Sequence, residues 1–131
     1  MSVCDQIESA VIAHIDWKAR LRNAIKTGKS EYTPEDVSVD NKCEFGIWLH
    51  KELDKSVRNS SHYHDVVQLH AAFHKHAALI LAQALQGESE KAQKRLEPMS
   101  EFTDISSKLI SSMRHWKESI KHDCDQQPSL D

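Results

Sequence analysis

Between Tyr63 and Leu85, the residues Tyr63, Val66, Val67, His70, His74, Ala77, Leu81 and Leu85 recur mostly at spacings of three and four. A helix through this segment turns all of them to one face, and their apolar character makes that face inward. The stripe contains two imidazoles one helical turn apart. A single core histidine is most often bonded to a backbone carbonyl and does nothing else. Two stacked in a core must share a proton, bear the desolvation cost together, or bind something. A divalent metal is the economical answer, because both rings can be neutral ligands at once.

A second helix is expected from Val3 to Thr27. Ile7, Val11, His14, Leu21 and Ile25 form its stripe, and Gly28 supplies its stop. His14 lies in the middle of that stripe. Gly28 to Lys42 reads as a loop, rich in Ser, Thr, Pro, Asp and Asn. The apolar segment Cys43-Glu44-Phe45-Gly46-Ile47-Trp48-Leu49 reads as one or two helical turns, and a further loop covers about 54–61. The His70 helix ends near Gln86-Gly87. A last helix runs from near Glu88 to about His122, its pattern crossed by Pro98, which should kink or interrupt it. Only three glycines and three prolines occur in 131 residues, which favours helices over a sandwich or barrel. The expected fold is an all-α antiparallel four-helix bundle of three long helices and one short one. It forms one domain over 1–122, followed by a polar tail at 123–131.

The formal charge of −3 is mixed in sign with no basic stripe, so nucleic acid is not an expected partner. No apolar run approaches the ~20 residues of a membrane helix, and the start of the chain lacks a leader pattern. A cytoplasmic protein is expected. Cys4, Cys43 and Cys124 are odd in number and widely spaced, which does not indicate a disulfide framework. The bundle brings the chain ends to one pole, but in a reducing compartment Cys4 and Cys124 are expected as separate thiols. His50, His62, His64 and His76 read as solvated, and Trp17 and Trp116 as packing residues.

A bundle can bring His14, Cys43, His70 and His74 to its centre. Alone, Cys43 is most simply a small buried hydrophobe. Jointly the four make a closed three-nitrogen, one-sulfur set suited to Zn²⁺, with Zn–S about 2.3 Å and Zn–N about 2.0–2.1 Å. Four protein ligands leave no open position for substrate, so no enzyme is expected.

Three segments carry a resemblance: His14 with Trp17 and Leu21; Cys43-Glu44-Phe45-Gly46-Ile47-Trp48-Leu49; and His70-Ala71-Ala72-Phe73-His74. They resemble the chemoreceptor zinc-binding domain family, whose pattern is a helix-one histidine, a Cys-x-[Leu/Phe]-Gly-x-Trp motif and a His-x-x-x-His motif. The resemblance spans about residues 5–120. It implies zinc ligation by His14, Cys43, His70 and His74, and a homodimer. It also implies a regulatory role on a chemoreceptor or a diguanylate cyclase, where zinc occupancy or cysteine oxidation alters output. No signalling segment accompanies the domain, so the expected partner is a separate protein or part of a longer chain.

The alternative is a hemerythrin-like di-iron protein, which needs bridging carboxylates; position 18, after His14, is Lys. A metal-assisted hydrolase would need Cys43 away from the metal, and no His-Glu-x-x-His motif is present.

Overall fold

Ser2 starts the first helix. Its hydroxyl accepts the Asp5 N–H at 3.1 Å, and the Asp5 carboxylate accepts the Ser2 N–H at 3.4 Å, a reciprocal cap. The computed structural model describes residues 2–121 and residue 124. Helix α1 spans Val3–Thr27 and ends at Gly28, whose φ of 72° a side chain would strain. Helix α4, Ser61–Leu85, is capped by Ser60 and ends before Gly87, with φ 80°. These bounds are close to those the stripes predict.

Between them lies a chain of short pieces. Helix α2, Pro34–Ser38, opens on a Thr33 cap with Pro in its first turn. Helix α3, Glu44–Ile47, runs into a wide turn at Trp48–Glu52, closed by the Leu53 N–H on the Trp48 carbonyl at 2.8 Å. A 3₁₀ turn follows at Lys55–Asn59. Helix α2 falls inside the stretch expected to be plain loop. Its Thr-Pro-Glu-Asp start is a capping signal, but only Val37 on it is buried, so no stripe marks it.

The expected last helix is two. Helix α5 spans Ser89–Arg95 and α6 spans Glu101–Ser119. Pro98 falls in the break, and Met99 takes φ 76°. A proline lacks the N–H of a helix interior and clashes with the preceding turn. The Ser100 hydroxyl then caps α6 through the Thr103 N–H at 3.2 Å. Position 122, the expected helix end and domain boundary, lies outside the described residues, as does the 123–131 tail apart from Cys124.

The structure is an all-α bundle, with no strand among the described residues. Glu8 pairs with Lys117 at 3.0 Å, so α1 and α6 are antiparallel. Tyr63 meets Trp116 and Phe73 meets Phe102, so α4 and α6 are antiparallel too. Helices α1 and α4 therefore run parallel. The short pieces of 28–60 return the chain along the bundle and fill its fourth position. Ile7, Val11, Leu21, Val66, Phe73, Ala77, Leu81, Leu109, Met113 and Trp116 form the fully buried centre. Three predicted stripe residues depart from it: Ile25 and Val67 are half-buried and Leu85 is exposed.

Cys4 and Cys124 form a disulfide, with Cα atoms 6.0 Å apart. This corrects the expectation of two separate thiols. The N-terminal turn of α1 lies against the chain leaving α6, and the gap is one that a disulfide spans without backbone movement.

Candidate metal centre

His14, His70 and His74 are all buried, at 3, 0 and 2 % exposure. They are the only buried polar or charged residues described. His14 comes from the middle of α1, and His70 and His74 from successive turns of α4. Cys43 is half-buried and stands at the N-terminus of α3. One ligand atom from each of the four lies within 4.8 Å of every other. The structure thus brings together all four residues singled out in the sequence. Cys43 Sγ is 3.3 Å from His70 Nε2, and His70 Nε2 is 3.0 Å from His74 Nε2. A tetrahedral zinc shell has edges of about 3.3 Å between nitrogens and about 3.6 Å between nitrogen and sulfur. The Cys43–His70 and His70–His74 separations are close to those edges, and all four ligand atoms stay within 4.8 Å of one another.

The backbone sets the tautomers. His14 Nδ1 donates to the Ala10 carbonyl at 2.7 Å, and His74 Nδ1 donates to the Val37 carbonyl at 3.0 Å. Each ring therefore turns a lone pair on Nε2 toward the cluster. His14 Nε2 is buried and has no partner. An orphaned acceptor is costly in a core, and here it faces three ligand-type side chains. His70 Nδ1 is also without a partner. Ring packing holds His70, with Phe45 edge-on at 5.2 Å and His14 at 4.9 Å between centroids. These features fit a cation better than a dry core.

Cys43 is positioned by local backbone. Its sulfur accepts the Gly46 N–H at 3.3 Å, which fixes the rotamer and favours a thiolate. Any Cβ at position 46 would overlap the Asp40 carbonyl. Gly46 thus lets the backbone at Asp40 and Asn41 lie against α3. Asp40 in turn bonds His50 at 3.2 Å. His50 is therefore paired at the edge of the site instead of free in solvent.

Burial holds His14 down to about 4, against the pull of the Ala10 carbonyl. Burial, then the neighbouring imidazoles, pushes His70 down to about 2. His74 is lowered by burial as well, opposed by the Val37 carbonyl and Asp40. All three rings are neutral at pH 7 and need lose no proton to ligate. Burial pushes the Cys43 thiol up, opposed by the Gly46 and Phe45 N–H groups. Ligation at Cys43 must therefore displace one proton.

A cleft of about 400 Å³ leads from solvent to His14 and Cys43 between α1 and α3. Trp17, Arg20, Tyr32 and Glu44 wall it, with the Arg20 guanidinium 5.2 Å from the Trp17 ring and 5.4 Å from the Tyr32 ring. The sequence singled out Trp17 as a packing residue and Glu44 within the cysteine motif, but it did not mark Arg20 and Tyr32, nor Val37, Ala10, Asp40 and His50. Apart from the turn chemistry around Thr33, no signal marked them.

The cluster contains no Asp or Glu among the described residues, so the bridging carboxylate that a di-iron site requires is not part of it. No helix among the described residues is long and apolar enough to cross a membrane. Searches of curated proteins and of solved structures return no match. Residues 14–81 match the family described as the chemoreceptor zinc-binding domain. That span runs from the first of the four clustered side chains past the last, covers just over half of the chain, and stops before α5 and α6. The chain belongs to the chemoreceptor zinc-binding domain family.

Proposed function

We propose that this protein is a non-catalytic zinc-binding sensor module in which His14, Cys43, His70 and His74 hold the ion. The observation that carries the reading is the convergence of four ligand atoms from α1, α3 and α4 within 4.8 Å, with two imidazoles oriented by backbone carbonyls. When bound, the ion keeps the Cys43 sulfur as a thiolate and ties three helices to one point. The cleft along Trp17 and Tyr32 brings small molecules to that sulfur.

A peroxide is one such reagent. The Cys43 thiolate gives two electrons to the O–O bond, forms an S–O bond as a sulfenate, and water leaves with the second oxygen. Cys43 then serves poorly as a ligand, and the histidines lose their common partner. Helix α3 and the 38–42 loop are released from α4, which makes the short-helix face a two-state element. Occupancy and oxidation thus act on the same surface. The reading extends to a cytoplasmic homodimer acting on a chemoreceptor or a diguanylate cyclase; the family and the pairing of such effectors support it.

Metal analysis of untagged protein after zinc-replete growth tests the core of the proposal. About one zinc per chain is expected, with Cys43 protected from alkylation until chelator is added. Less than half a zinc per chain, or alkylation unaffected by chelator, would overturn it.

A further inference from the structure

Cys4 and Cys124 play no part in the metal cluster, yet they are bridged. Cys4 lies in the first turn of a 25-residue helix and is 8 % exposed. Its sulfur lies 3.9 Å from the Lys117 carbonyl oxygen, against the end of α6. Cys124 is half-exposed, and its N–H bonds the Ile120 carbonyl at 3.1 Å. The pole is held by more than the bridge. Glu8, one turn from Cys4, pairs with Lys117, and Ile7 and Trp116 are fully buried beside them in sequence. With the bridge open, these contacts keep the thiols near one another, which favours closure within the chain. Helix α1 supplies one of the four clustered ligands, His14. Ten residues separate it from Cys4, about 15 Å of continuous helix.

We propose that Cys4 and Cys124 form a reversible thiol–disulfide clasp, distinct from Cys43, that locks α1 to the chain leaving α6 and slows loss of the ion from His14. The clasp stands on the geometry of the pole; its effect on metal retention rests on the zinc reading above.

Closure proceeds by exchange with a low-molecular-weight disulfide such as glutathione disulfide. The accessible Cys124 thiolate attacks one sulfur, breaking that S–S bond, forming a mixed disulfide and expelling one thiolate. The Cys4 thiolate attacks the Cys124 sulfur and expels the second. Two protein thiols are oxidised, one small disulfide is reduced to two thiols, and the protons pass to the leaving thiolates. A reducing pool reverses both steps.

The test uses zinc-loaded full-length protein equilibrated with glutathione disulfide or with reduced glutathione, then alkylated. Peptide mapping should show a Cys4–Cys124 crosslink in monomers after the first treatment and two alkylated cysteines after the second. The crosslinked form should melt about 10 °C higher and release zinc to a chromophoric chelator several-fold more slowly. Cys4→Ser and Cys124→Ser should each release zinc at the faster rate in both buffers; the pair guards against one variant misfolding and exposes any reaction at Cys43. Crosslinked dimers, or free alkylatable thiols after oxidation, would overturn the clasp. Equal zinc release from both forms would overturn its action on α1. If the protein binds no zinc at all, the zinc reading fails, while mapping and melting still decide the clasp.

Discussion

The stretches 28–60 and 89–120 are similar in length and held in opposite ways. The second contains α6, nineteen residues with Phe102, Leu109, Met113 and Trp116 buried along one face. Such a helix is stabilised by its own packed stripe. The first contains no helix longer than five residues, and pieces that short do not persist alone. Caps and single anchors hold them: Thr33 on the Asp36 N–H, Cys43 on the Gly46 N–H, the Tyr63 hydroxyl on the Leu49 carbonyl at 3.0 Å, and Val37, Phe45, Trp48, Leu49 and Leu53 in the core. Cys43, and the carbonyl that orients His74, both belong to this weaker half. On the proposed reading, the responsive atoms lie where the fold is least self-sufficient.

The strongest way to break that contrast is to remove the ion or its centre. His70→Ala deletes the ring that touches both Cys43 and His74. Zinc affinity should fall on the order of 10³-fold, read by chelator competition. Chelation of the wild-type protein should speed amide exchange at 33–53 about tenfold or more and leave 102–116 nearly unchanged. Equal acceleration of both stretches would erase the distinction.

Acid probes the same contrast without a mutation. Burial holds His14 near 4 and His70 near 2, below the ordinary 6.5. Between these limits the unfolded chain takes up protons that the metal-free fold refuses, so stability falls as pH drops below about 6.5. His14 alone should account for about 3 kcal/mol by pH 4, measured by urea midpoints. A flat profile from pH 7 to 4 would mean that the imidazoles charge freely.

Gly46→Ala forces a methyl group into the Asp40 carbonyl and should cost about 3 kcal/mol, with Cys43 alkylation accelerated because the Gly46 N–H moves. The smallest expected effect is that of Thr33→Ala, about 1 kcal/mol from loss of the α2 cap. Its mark should be a modest rise in zinc release, since Val37 moves with α2. An equal loss of stability with no change in release would separate α2 from the site.

Periodicity and residue type were sufficient for much of this. The stripes of α1 and α4, the glycines beyond their ends, and the positions of His14, His70 and His74 are local patterns that a helix converts directly into a buried face. The Cys43 segment was legible because its motif matched a family. The closing of the ring of contacts was not. The Ala10 and Val37 carbonyls that orient two imidazoles carry no side-chain identity, so nothing in the letters at 10 and 37 announces them. Gly46 is a letter of the cysteine motif, but its neighbour, Asp40, is known only from the packed backbone. Pro98 marked a disturbance, and only the packing of α5 and α6 turned it into a full break.

The chain's residue pattern by itself determined the helical class, the inward faces and the chemistry of the four side chains. The tertiary structure decided that α1 and α4 run parallel, that Cys4 meets Cys124 and that the lone pairs of His14 and His74 point together. Spacing along a chain encodes direction around one helix axis; distance between axes, and the acceptor a ring finds across them, arise only when the helices pack.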